Sequence, residues 1–118
     1  MAISVSASDR DSATVVKITG RVLLYDGSKE MYEAVDGQLQ RGRKRIVLDL
    51  SEVSYIDSSG LGFLVTAYTK VKNSGGELVV AAPQAKVRGL MEGGTKLYLV
   101  IGIYDTVDEA VASLEKRS

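Results

Sequence analysis

The chain has 118 residues with 15 basic and 15 acidic side chains, so its formal net charge is zero; this length suits one domain, 1–118, and the charge offers no footprint for nucleic acid. It contains neither cysteine nor histidine, which excludes disulfides, thiolate metal sites, a cysteine nucleophile and a histidine base. With 45% apolar and 25% charged residues the composition is that of an ordinary water-soluble fold.

Ile3, Val5 and Ala7 alternate with Ser4, Ser6 and Ser8, a period of two that predicts a strand with one wet face. The turn-like Asp9-Arg10-Asp11-Ser12 leads to a second strand over Ala13 to Thr19, closed by Gly20, and the short link predicts a hairpin. From Ser28 to Gln40 the period changes: Met31, Val35 and Leu39 stand four apart, so a helix is expected, with Ser28 as N-cap and Gly42 as its stop. Ile46 to Leu50 is a continuous apolar run, as in a strand covered on both faces. Ser59 to Lys72 is helical, with Leu61, Leu64, Val65, Tyr68 and Val71 on one stripe. A strand over Leu78 to Ala82, a helix over Gln84 to Met91 broken by Gly93-Gly94, and a last strand over Leu99 to Ile103 follow. Thr106 with Glu109 three residues on has capping-box spacing and opens a final helix.

The expected order is ββαβαβαβα, which predicts an α/β fold with a four- to five-stranded mixed sheet, mostly parallel, and helices mainly on one face. The longest apolar run, Leu97 to Ile103, is far short of the ~20 residues that span a bilayer. Nor does the N-terminus read as a secretory leader. The expected compartment is the cytoplasm, with no direct membrane insertion.

Chemistry concentrates in Tyr55-Ile56-Asp57-Ser58-Ser59-Gly60-Leu61-Gly62. Two hydroxyls stand at a helix start, where backbone N–H groups lack intrahelical partners and the dipole is positive. A phosphate there is electrostatically welcome and adds about −1.5 to −2 charge. The plainer reading is that Asp57 or Ser58 only caps the helix. Two glycines in one turn cost about 2 kcal/mol in helix propensity, so they need a reason: close packing on the sheet, or access for a partner. Enzymatic readings have little support. Ile56 occupies the first glycine position of a nucleophile elbow, a Ser-His-Asp triad is impossible without histidine, and Lys70 lies in no Walker A loop. Asp49, Glu52 and Asp57 read as strand-end and loop carboxylates rather than metal ligands. Arg41, Arg43, Lys44 and Arg45 read as a solvated turn.

The motif Asp57-Ser58-Ser59-Gly60-Leu61-Gly62 resembles the signature of the STAS domain, found in bacterial anti-sigma factor antagonists and in the cytoplasmic part of sulfate transporters. Ile46 to Val53 resembles the family strand before the motif, Lys72 to Leu78 resembles the helix exit and next strand, and the element order matches from Ile3 to Leu114. The resemblance implies a non-enzymatic, cofactor-free switch. Unphosphorylated, such a protein binds an anti-sigma factor that is also an ATP-dependent serine kinase; phosphorylated, it lets go, and a metal-dependent phosphatase resets it. By motif position the acceptor is Ser58, with Ser59 as runner-up, and the partner-binding residues are Asp57, Ser59, Gly60, Leu61, Gly62, Tyr55, Arg21 and Leu23. One departure stands out. Where the family usually carries Gly-Glu-(Ile/Leu)-Asp, this chain has Gly20-Arg21-Val22-Leu23, which reverses a charge on the expected partner face. That departure favours the alternative: a STAS adaptor or nucleotide-sensing subunit of a transporter or sensory assembly. Leu23-Leu24-Tyr25 is read either as core or as a hydrophobic partner patch.

Overall fold

A computed structural model describes residues 3–10, 12–24, 26–93 and 96–116. Asp11, Tyr25 and Gly94 fall outside the described residues, so the expectations resting on them carry no structural counterpart. The elements are β1 (Ser4–Arg10), β2 (Ala13–Val22), α1 (Ser28–Gln40), β3 (Arg45–Ile56), α2 (Ser58–Asn73), β4 (Glu77–Ala81), α3 (Ala85–Glu92), a 3-10 turn over Leu97–Leu99, β5 (Ile103–Tyr104) and α4 (Val107–Glu115). They form the expected α/β architecture: a five-stranded sheet in the order β1-β2-β3-β4-β5. β1 runs antiparallel to β2 and the remaining neighbours are parallel.

The apolar runs of β3 and β4 explain the layering. Ile46, Leu48, Leu50, Leu78 and Val80 point to one side and pack with Met31 and Val35 of α1, Leu64 and Val71 of α2, and Val87 and Met91 of α3. Val47, Val79 and Ala81 point to the other side and meet Ala110, Val111 and Leu114 of α4. Strand residues alternate between faces, so a strand covered twice must be apolar throughout. Three helices thus share one face and α4 takes the other.

Several local expectations are corrected. β1 has no dry face, because all seven of its residues are exposed. Gly20 does not end the second strand: β2 continues to Val22, paired with Ile56 of a β3 that carries two register shifts. The N-cap of α1 is Gly27, not Ser28. Ser28 is the first helical residue, is fully buried, and Glu30 reaches back to accept the Gly27 N–H at 3.2 Å. Val65 lies off the buried stripe of α2, in solvent. The last strand is only Ile103–Tyr104. Ahead of it the 3-10 turn buries Leu97 and sends Tyr98, Leu99 and Val100 outward, Leu99 to 68% exposure. The burial pattern is not that of a strand: Leu99, midway between the buried Leu97 and Ile101, would share their strand face and instead stands in solvent. The expectations for α1's span, for Gly42 after its last turn and for the Thr106 cap agree with the structure.

Candidate functional site

β2 and β3 end side by side at Val22 and Ile56, and the chain turns there into α2. Asp57 is the hinge of that turn. Its extended backbone lets it act as N-cap, and its carboxylate accepts two bonds. Oδ1 takes the Gly60 N–H at 2.7 Å and Oδ2 takes the Leu24 N–H at 3.1 Å. Its own N–H donates to the Val22 carbonyl at 3.2 Å. Of the two capping alternatives, Asp57 is therefore the cap, and the Ser58 hydroxyl is left out of the helix start. Ser58 is exposed, Ser59 half-buried and Leu61 buried. The first intrahelical bond runs from Leu61 N–H to the Asp57 carbonyl at 3.0 Å. The Ser58 and Ser59 N–H groups consequently stand at the positive end of the helix without intrahelical acceptors.

The two glycines separate cleanly. A Cβ on Gly60 would lie 2.6 Å from Ile56 Cγ1 and 2.7 Å from the Val22 carbonyl oxygen, so packing on the sheet requires glycine there. A Cβ on Gly62 would meet nothing within 4 Å. Gly62 is exposed, and nothing in the fold asks for it. Beyond it the outer face of α2 continues as an open groove of about 520 Å³ along Val65, Thr66, Thr69 and Lys70. The Thr66 and Thr69 hydroxyls donate back to the Gly62 and Val65 carbonyls at 3.0 and 2.9 Å, and no charged residue stands between Ser58 and Lys70 in the sequence.

The loop joining β2 to α1 flanks the helix start. Leu23 N–H donates to the Asp26 carbonyl at 2.8 Å, and Leu23 O accepts from Asp26 and Ser28. Gly27 closes the loop at φ +109°, with space for a Cβ blocked 2.6 Å away by the Arg21 carbonyl, so only glycine is unstrained there. Leu23 is half-buried and Leu24 is 42% exposed. Arg21 sits opposite Tyr55 in the β2–β3 register, and the Lys86 ammonium lies 5.6 Å from the Tyr55 ring centre. A register shift falls between Gly20 and Arg21, so the simple alternation of faces is interrupted at this end of the sheet.

Asp57, Ser58, Ser59, Gly60, Leu61, Gly62 and Leu23 thus meet at the start of α2, and Arg21 and Tyr55 stand one residue before the ends of β2 and β3. The Leu24 link to Asp57 and the Lys86–Tyr55 stacking carry no sequence signal, since both join residues more than thirty positions apart. Among the described residues no group of three carboxylates could hold a metal ion, and the buried Asp49 accepts the Ser51 N–H at 2.9 Å.

A small mixed sheet with a Ser-Ser-Gly helix start at the C-terminal ends of β2 and β3 defines a class, and comparison with known proteins agrees. Residues 4–110 match the STAS domain family. The chain is 30% identical over 113 residues to the anti-sigma-B factor antagonist of Bacillus subtilis (strain 168), covering 96% of this chain and 95% of that protein. It is 28% identical over 116 residues to the anti-sigma F factor antagonist of Paenibacillus polymyxa, covering 98% and 97%. The crystal structure of an anti-sigma factor antagonist from Mycobacterium paratuberculosis has the same fold, with a TM-score of 0.85 over 97% of this chain and 95% of that one, at 24% identity. The chain belongs to the STAS domain family, among the relatives of the anti-sigma factor antagonists.

Proposed function

We propose that this protein is an anti-sigma factor antagonist, acting in the cytoplasm as a phosphorylation-controlled binding switch with no catalysis of its own. The supporting observation is the division of labour at the helix start: Asp57 takes the cap and leaves the exposed Ser58 hydroxyl for another use. Unphosphorylated, the surface around Ser58 and Gly62 binds an anti-sigma factor that is also a serine kinase, which frees the sigma factor for transcription. The kinase transfers the γ-phosphoryl of ATP to Ser58 Oγ; the hydroxyl proton is lost and ADP leaves. The new ester carries about −1.5 to −2 charge beside the Asp57 carboxylate, and burying that charge in an interface costs more than the contact returns. A metal-dependent phosphatase hydrolyses the ester and restores the binding form.

Incubation with candidate serine kinases and ATP, followed by mass spectrometry, tests the acceptor. Phosphate is expected on the Ser58 peptide and absent in Ser58→Ala, and undiminished phosphorylation of Ser58→Ala moves the acceptor to Ser59 or elsewhere. Ser58→Asp is expected to weaken kinase binding with the fold intact, and equal affinities in calorimetry overturn the repulsion mechanism. Arg21 favours a second reading. It presents an exposed cation where the family usually has glutamate, which suits an adaptor or nucleotide-sensing subunit of a transporter or sensory assembly.

A further inference from the structure

Tyr55 gathers two cations that the fold does not neutralise. Arg21 stands opposite it in the β2–β3 register, on a neighbouring strand about 4.8 Å away. Lys86 comes from α3 and sets its ammonium 5.6 Å from the centre of the Tyr55 ring. Gln84, the N-cap of α3, donates to the Ser51 carbonyl at 2.9 Å, which ties the start of that helix to the strand carrying Tyr55. Arg88, two residues further along α3, is paired with Glu92 and Asp105. Among the described residues no carboxylate pairs with Arg21 or Lys86. The Asp57 carboxylate, two residues beyond Tyr55, is taken up by the Gly60 and Leu24 N–H groups. Arg21 and Lys86 are exposed, so two uncompensated cations beside one aromatic ring face solvent on a chain of zero net charge.

We propose that Arg21, Tyr55 and Lys86 form a docking site for an acidic segment of a protein partner. The proposal rests on reading the chain as a binding protein, and it names the chemistry of what is bound. The Arg21 fork can take a carboxylate through two parallel N–H bonds, and the Lys86 ammonium takes another as a point charge. An ammonium already held over the Tyr55 ring has less freedom left to lose when it binds. The half-buried ring gives the segment a flat apolar surface beside the charges. The cavities along α2 and α4 have other linings. The cluster is exposed surface drawn from three elements, which suits a chain segment laid across it better than a small anion enclosed within it. Such a site selects by charge: a partner presenting carboxylates is drawn in, and one presenting cations is repelled.

The test titrates the full chain with a capped peptide of alternating Glu and Asp and reads backbone amide and arginine side-chain shifts by NMR. Saturable shifts are expected at Arg21, Tyr55 and Lys86, with affinity falling about tenfold between about 0.02 and 0.3 M salt. Arg21→Glu and Lys86→Glu are each expected to weaken that binding about tenfold or more. The two substitutions lie on different elements, and a native-like spectrum identifies a folded variant, so Lys86→Glu decides the matter if Arg21→Glu fails to fold. A peptide of lysines is expected to leave the cluster unmoved. No saturable shift at the cluster, shifts confined to Arg41, Lys44 and Arg45, or native affinity in the folded variants overturns the proposal. Saturable shifts at the cluster with ATP or inorganic phosphate but none with the acidic peptide also overturn it, and assign the cations to a phosphate ligand. Failure of every kinase to modify Ser58, by contrast, counts against the switch reading and leaves the peptide result standing.

Discussion

Gly60 and Gly62 sit in one turn of α2, two residues apart, and face opposite demands. Gly60 is held against Ile56 and the Val22 carbonyl, with no room for a methyl group, and is buried. Gly62 is open to solvent on every side that a Cβ would take. Both carry the same helix-propensity penalty, roughly 1 kcal/mol each. On the inner side the penalty is offset by close approach of helix and sheet. On the outer side the fold gains nothing from it, and under the proposed function its reason is close approach of the partner to the Ser58 face. Two residues of one type thus teach different lessons: Gly60 is a packing constraint, and Gly62 is free of any.

That contrast can be broken by three measurements. Gly60→Ala is expected to be the most damaging. Forcing a Cβ within 2.7 Å of backbone and core atoms destabilises by about 3 kcal/mol, a drop of about 12 °C in melting temperature. A native melting temperature would show that the sheet tolerates the methyl group and that close packing is no explanation. Gly62→Ala has the opposite sign. It is expected to raise stability by about 0.5–1 kcal/mol, or roughly 2–4 °C, while weakening binding to the anti-sigma partner in calorimetry. Unchanged binding would remove the partner from the account of Gly62. The smallest effect lies farther along α2, where Lys70 meets Asp36 of α1 at 2.5 Å. The Lys70 ammonium holds the Asp36 carboxyl below its ordinary 3.8, and Asp36 in turn raises Lys70. The depressed carboxyl contributes stability that is present above the ordinary value and lost as pH falls through the folded one. The raised lysine contributes below its ordinary value and loses it as pH rises past the folded one. Asp36→Asn is therefore expected to be slightly less stable than the native protein at neutral pH and to converge with it in acid. Denaturation midpoints that differ equally at both pH values would rule the ion pair out.

Much of the fold was legible because its signals are periodic. The doubly covered strands read as continuous apolar runs, α1 and α4 as four-residue spacings, and Thr106–Glu109 as a cap. The errors have specific causes. Leu99 to Ile103 is apolar enough for a strand, but Leu99, between the buried Leu97 and Ile101, is exposed with Tyr98 and Val100, and only Ile103–Tyr104 pairs with the sheet. Ser28 is a better capping residue than glycine by preference, yet the tight approach of the Arg21 carbonyl admits only glycine at position 27, which shifts the cap by one. At the site, the motif supplied the residues and their order. It did not reveal that Asp57 rather than Ser58 caps, nor that the second carboxylate oxygen holds Leu24, because that bond depends on where β2 and β3 stop relative to each other.

β1 has a consequence of its own. None of its side chains is buried, so the strand is held by its ladder with β2 and by the ion pairs of Arg10 with Asp108 and of Asp9 with Arg43. Strands pinned by burial have one admissible alignment, since a slip of one residue inverts every side chain; here inversion exchanges one wet face for another. β1 is therefore the rewritable margin of the molecule. Its letters other than Asp9 and Arg10 are expected to change, and a reporter to be spliced beside it, with little disturbance to the sheet behind it.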